Sequence, residues 1–184
     1  MAVRIKSQWH DEDSTRTLEE IGGAIAYNAW KLALDKAVTL HGEHFVYEND
    51  GQRLAVIAEY LIFLAQVVDR LTSAMLEDDE RRTLITALVL KMADHMDENA
   101  QSLLGDSDHR SAFIERFNLR SGEYAEFSIT DDGPSYPFLR HLGYEIQQVM
   151  GDSQENRWVI DQVMDMDGPE VFKQMKRIVR NLFM

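Results

Sequence analysis

Cysteine is absent from this sequence, which excludes disulfide frameworks, thiolate zinc sites and cysteine nucleophiles together. Proline is scarce, with 3 in 184 residues, and glycine is limited to 10. So few chain breakers argue against an all-β fold of many turns and for long helices. No apolar run is long enough to span a membrane. The longest, LAVIAEYLIFLAQVV at 54–68, is interrupted by Glu59 and Gln66 and falls short of the roughly 18 clean residues required. Positive charge is outweighed: the formal net charge is −13, a field that repels a phosphate backbone and excludes nucleic acid as the expected partner. The opening MAVRIKSQWHDED lacks the apolar run of a signal peptide, so a cytoplasmic protein with no membrane partner is expected.

Catalytic signatures are missing too. There is no Gly-x-Ser-x-Gly elbow, glycine-rich phosphate loop or dinucleotide fingerprint. A di-iron bundle needs Glu-x-x-His on two helices, and the nearest approach is a single Asp106-x-x-His109 at a predicted helix start. No cofactor is therefore expected.

What is present is helical pattern. Hydrophobic residues make up 45% of a chain whose length suits one domain. Residues 1–13 are polar and aperiodic and read as a flexible arm before an all-α domain at 14–184. TLEE (17–20) reads as a capping box, opening a helix that runs to about Leu40 and stops before Gly42. A second helix is predicted over about 52–76, and a third over 80–104, closed by Gly105. DSD (106–108) caps a shorter helix through HRSAFIERFNL, and RSGEYAEFSI (120–129) is ambiguous between helical turn and extended chain. DDGPSYPFL and DMDGPEVF each place proline after Asp-Gly, as at a first helical position, with the amphipathic segment DSQENRWVIDQVM between them. The expectation is a single-domain helical bundle of about six or seven helices, without a sheet, around the two most apolar helices.

On the first helix, Leu18, Ile25, Ala29, Leu32 and Ala33 share a face that Tyr27, Trp30 and Leu34 widen, while Asn28, Lys31, Asp35 and Thr39 form a narrow polar strip. Gly22-Gly23 implies close approach of another backbone. On the third helix, Ile85, Leu88, Val89, Met92, Met96 and Leu103 define the apolar stripe. The carboxylates of KMADHMDENAQ (91–101) then face water, and its methionines fill the core.

Glu59 is the leading candidate for chemistry: it is the one charged residue from Leu54 to Val68 and shares a strip with Gln66 and Arg70. Its structural alternative is a salt bridge to Arg53 or Arg70. Asn99 falls on an apolar stripe, where a buried amide sets helix register or lines a pocket. Glu59, Gln66 and Asn99 are thus the ligand-binding candidates. HGEH (41–44) offers His41 and His44 as lesser metal candidates, across Gly42 and without helical spacing. Tyr136, Phe138, Arg140 and Tyr144 are residue types enriched at contact surfaces; alternatively Phe138, Leu142 and Ile146 pack inward. The last helix sets Val171, Met175, Ile178, Val179 and Leu182 against Lys173, Lys176, Arg177 and Arg180, a local charge of +3 in an otherwise acidic chain.

Two functions compete on these grounds. The first is a non-catalytic interaction domain that forms a homodimer or binds a protein partner, with Lys173 and Arg177 among its contacts. The second is a helical metal- or small-ligand-binding protein, an enzyme included, with its site inside the bundle.

Overall fold

A computed structural model describes residues 16–42 and 45–184. The arm predicted at 1–13 and the candidate His44 lie outside the described residues. The fold is an all-α bundle.

Helix α1 (Leu18–Gly42) begins where the sequence pattern places it. Thr17 Oγ1 accepts from Glu20 N at 3.2 Å, and Glu20 Oε2 accepts from Thr17 N at 2.9 Å, so two otherwise orphan amides are satisfied reciprocally. Its buried face is built largely of Ala26, Ala29, Ala33 and Ala37, which keeps the helix slim where α3 (Asp78–Leu104) packs along it. At Gly22 a Cβ would stand 3.0 Å from both Leu84 O and Ala87 Cβ, so this glycine is required by contact with α3. Gly23 meets nothing within 4 Å and has no such role. Tyr27 and Leu34, expected within the apolar arc, are exposed because neighbours cover a narrower sector than the arc spans.

Helix α2 (Asp50–Thr72) is the core. Val56 to Val68 is buried without interruption, against α1, α3, α4 (His109–Tyr124), α5 (Tyr136–Met150) and α7 (Gly168–Phe183). Each fully buried large side chain here contributes about 1.5–3 kcal/mol. Phe63 meets Phe138 of α5 edge-on at a 5.2 Å centroid separation. The helix starts two residues earlier than predicted, at an Asn49 cap whose Oδ1 accepts from Gln52 N at 2.9 Å. It ends at Thr72 rather than 76, where the hydroxyls of Thr72 and Ser73 turn back onto Val68 O and Arg70 O.

Helix α3 ends at Gly105, whose φ of 87° suits a residue without Cβ. Of its predicted stripe, Leu103 proves exposed, and Leu84, Ala93 and Ala100 complete the buried face instead. Asp94 and Asp97 do not simply face water. They receive the start of α4, through Arg110 Nε at 2.9 Å and Arg110 N at 3.2 Å respectively.

Helix α4, capped by Asp108, runs five residues beyond the predicted Leu119 and absorbs Arg120 to Tyr124. A minimal antiparallel ladder follows, Ile129–Thr130 (β1) with Gly133–Pro134 (β2), where the sequence predicts no sheet. Pro134 therefore belongs to this hairpin, and Pro137 takes the first turn of α5. Pro169 takes the first turn of α7, as the sequence pattern places it, but no break precedes that helix. α6 (Val159–Gln162) continues through a π-helical turn at Val163–Asp167 directly into α7, with Gly168 N donating to Val163 O. The wider turn accommodates Pro169, which lacks an amide donor.

Candidate functional site

The polar strip of α2 faces α4 and α5, and it becomes an ionic centre. Glu59 is 0% exposed. Its partner is neither Arg53 nor Arg70 but Arg120 of α4, which holds it bidentately, Nε to Oε2 at 3.1 Å and Nη2 to Oε1 at 3.2 Å. Arg116 Nη1 adds a contact at 3.9 Å. Residue spacing explains the arrangement: Arg116 and Arg120 are one helical turn apart and share a face. Arg120 then reaches Glu123 Oε2 at 3.0 Å and Glu145 Oε2 of α5 at 2.5 Å. One guanidinium thus serves three carboxylates, using the fork geometry that lysine lacks.

His141 completes the cluster. Its Nε2 lies 3.0 Å from Glu123 Oε2 and 3.9 Å from Glu145 Oε1. Tyr124 packs its ring edge-on against His141 at 4.7 Å, and its hydroxyl is buried with no hydrogen-bond partner among the described residues. The electrostatics follow from this crowding. Burial acts to lower the Arg120 pKa, but hydrogen bonds to Glu59 and Glu123 and the charges of Glu59 and Glu145 outweigh it and hold the guanidinium charged. Burial raises the Glu145 pKa, with Glu59 adding to the effect and Arg120 opposing it. Burial, then Glu59, pushes the Tyr124 phenol well above its ordinary value.

Farther along α2, Gln66 Nε2 donates to Ser121 Oγ at 2.9 Å, and Arg70 Nη1 donates to Gln66 Oε1 at 2.6 Å. Arg70 also donates to the carbonyls of Tyr124 and Phe127, tying the end of α4 to α2. An open groove of about 710 Å³ lies beside this network, lined by Gln66, Arg70, Ile85, Phe117, Ser121 and Phe127 among others.

Asn99 does not join Glu59 and Gln66. It is half-buried, and its Nδ2 donates to His95 O at 2.8 Å within its own helix. A four-residue back-bond satisfies the amide without an interhelical partner. Nearby, the buried Nε2 of His95 has no hydrogen-bond partner among the described residues, and burial followed by Lys91 lowers the imidazole pKa. His41 is exposed and stacks on Tyr47 at 5.6 Å. Phe138, a candidate contact residue, is fully buried, with Leu142 and Ile146 beside it on the inner face. Tyr136, Arg140 and Tyr144 are exposed, as are Lys173 and Arg177.

A second buried ionic cluster escaped the sequence pattern. The side chains of Lys36 and Asp167 are 6% and 5% exposed and lie 3.9 Å apart, and Lys36 Nζ also donates to Glu170. Tyr60 OH donates to Asp167 Oδ2 at 3.3 Å and Gln162 Nε2 to Oδ1 at 3.4 Å. Burial raises the Asp167 pKa, and Lys36 opposes the rise. The signal for Lys36 was its register: it follows Ala29 and Ala33 at helical spacing and precedes Leu40, all buried. For Glu123, His141 and Glu145 the local signal was the four-residue step from His141 to Glu145; the third member comes from another helix. One donor atom from each of these three lies within 4.8 Å of the others, the arrangement among the described residues that suits a metal ion.

The fold and this centre define a class: an all-α bundle whose core carries two ionic clusters among the described residues. Compared with family models, with curated proteins and with solved structures, the chain matches none. Among the described residues, no helix is long and apolar enough to cross a membrane.

Proposed function

We propose that the chain is a non-catalytic, cytoplasmic protein-interaction domain that pairs with a second copy of itself through the basic face of α7. The supporting observation is a set of unspent charges. Lys173, Lys176, Arg177 and Arg180 are all exposed, and none is ion-paired among the described residues. Glu170, the one acidic residue of α7, is turned to Lys36 instead. The helix therefore presents cations to solvent in a chain of net charge −13, so the rest of another copy offers −16. A twofold pair makes such a contact twice, because each copy supplies both surfaces. Tyr136, Arg140 and Tyr144 form a second exposed set of contact-prone side chains.

The competing reading, a ligand site formed jointly by Glu59, Gln66 and Asn99, has less support. Glu59 is held by Arg120, Gln66 by Ser121 and Arg70, and Asn99 by its own helix.

Light scattering on the eluting protein tests the pairing. At low salt the mass is expected at twice the 21.2 kDa chain. It should fall toward one chain near 1 M salt, where charges are screened within about 3 Å. Lys173→Glu with Arg177→Glu should give a monomer of unchanged helicity. A wild-type monomer, or a dimer indifferent to these reversals, refutes the reading.

A further inference from the structure

The ionic centre has more carboxylate than its arginines neutralise. Glu59, Glu123 and Glu145 face Arg120 directly, while Arg116 reaches only Glu59 and from 3.9 Å. The surplus negative charge sits on the outer side of Arg120, where Glu123, His141 and Glu145 meet. Their side chains are 35%, 18% and 11% exposed, so this corner is recessed yet open to an ion from solvent.

We propose that Glu123, His141 and Glu145 bind a divalent transition-metal ion of the zinc class. The donor set, one imidazole and two carboxylates, is a three-ligand set that leaves a fourth position for water. Its geometry is already assembled. His141 and Glu145 are four residues apart on α5 and lie on one face, and Glu123 is presented across from them by α4. The donor atoms have capacity to spare: among the described residues Glu123 Oε1 has no hydrogen-bond partner, and the polar contact of Glu145 Oε1 is His141 Nε2 at 3.9 Å. Arg120 donates to Oε2 of each carboxylate and holds both in place, as outer partners do for metal ligands.

A second observation marks the same place. The hydroxyl of Tyr124 is 0% exposed and unpartnered, it belongs to a ring packed on His141, and it feels the charges of Glu59, Arg120, Glu145 and Glu123. A buried hydroxyl with no partner is destabilising. The site stands apart from the pairing surface on α7 and does not depend on it.

Calorimetric titration of the full chain, stripped with chelator and then given zinc chloride, provides the test. One zinc per chain is expected, with cobalt taking the same site and showing the visible absorption of an imidazole-bound ion. His141→Gln and Glu145→Gln each keep a polar side chain in place and should weaken zinc binding by about 100-fold, with helicity unchanged. His41→Ala, at the other imidazole considered, should leave it intact. Absent zinc binding in the wild type overturns the proposal. So does affinity retained in both α5 variants, or lost in His41→Ala.

Discussion

Two ionic clusters lie inside this bundle, and they solve the cost of burying charge differently. Around Glu59, one arginine is shared among three carboxylates, and the cluster opens to solvent at Glu123. Around Lys36, one cation meets Asp167 and Glu170, with the neutral donors Tyr60 and Gln162 supporting the buried carboxylate. The first depends on one shared guanidinium and the second on added neutral donors. A buried charge that loses its only strong partner stays uncompensated, whereas a carboxylate flanked by neutral donors keeps them or takes up a proton.

The largest expected effect comes from removing Arg120. Arg120→Met strands Glu59 at zero exposure with only the distant Arg116, and urea unfolding should show a loss of about 3–5 kcal/mol. A loss below about 1 kcal/mol would dissolve the contrast between the clusters.

Lys36→Met should cost less, about 1–3 kcal/mol at neutral pH, because Tyr60 and Gln162 remain on Asp167. Its cost should also shrink in acid. The folded pKa of Asp167 is raised above 3.8, so the folded state takes the proton first as pH falls. Stability associated with this group is therefore gained through that window on acidification and lost as pH rises. Unfolding of Lys36→Met near pH 7 and near pH 4 reads the sign directly, and a deficit that grows in acid refutes it.

His95 should behave in the opposite sense. Its folded pKa lies below 6.5, so the unfolded chain binds the proton more readily. This contribution is complete above pH 6.5 and is lost as pH falls through the folded value. His95→Phe should remove that slope from the pH–stability profile while leaving the neutral-pH stability near wild type.

The smallest effect belongs to the rim. Glu123→Gln removes a carboxylate whose side chain is 35% exposed and should change stability by less than about 1 kcal/mol. A rim loss equal to that of Arg120→Met would mean that the open side is as dry as the closed one.

Much of the fold was legible locally. Thr17 and Glu20, Asp108 and Gly105 mark helix ends through bonds between near neighbours. Failures cluster where a distant contact overrides that local logic. Arg120 to Tyr124 stay helical despite Gly122, because Arg120 is anchored to Glu59 and the phenol ring of Tyr124 is buried. Glu59 stood out in the sequence as a charge in an apolar run, yet its partner did not, since Arg53 and Arg70 were nearer along the chain.

Composition and apolar period by themselves determined an all-α chain with α2 at its centre, because a helix repeats every 3.6 residues and both its core face and its caps are written within one or two turns. Only the tertiary structure decided which charges go inside. Glu59 meets Arg120 across 61 positions, and Lys36 meets Glu170 across 134. Burial of a charge is affordable only beside its partner, and separations of that size leave no periodic trace in the sequence.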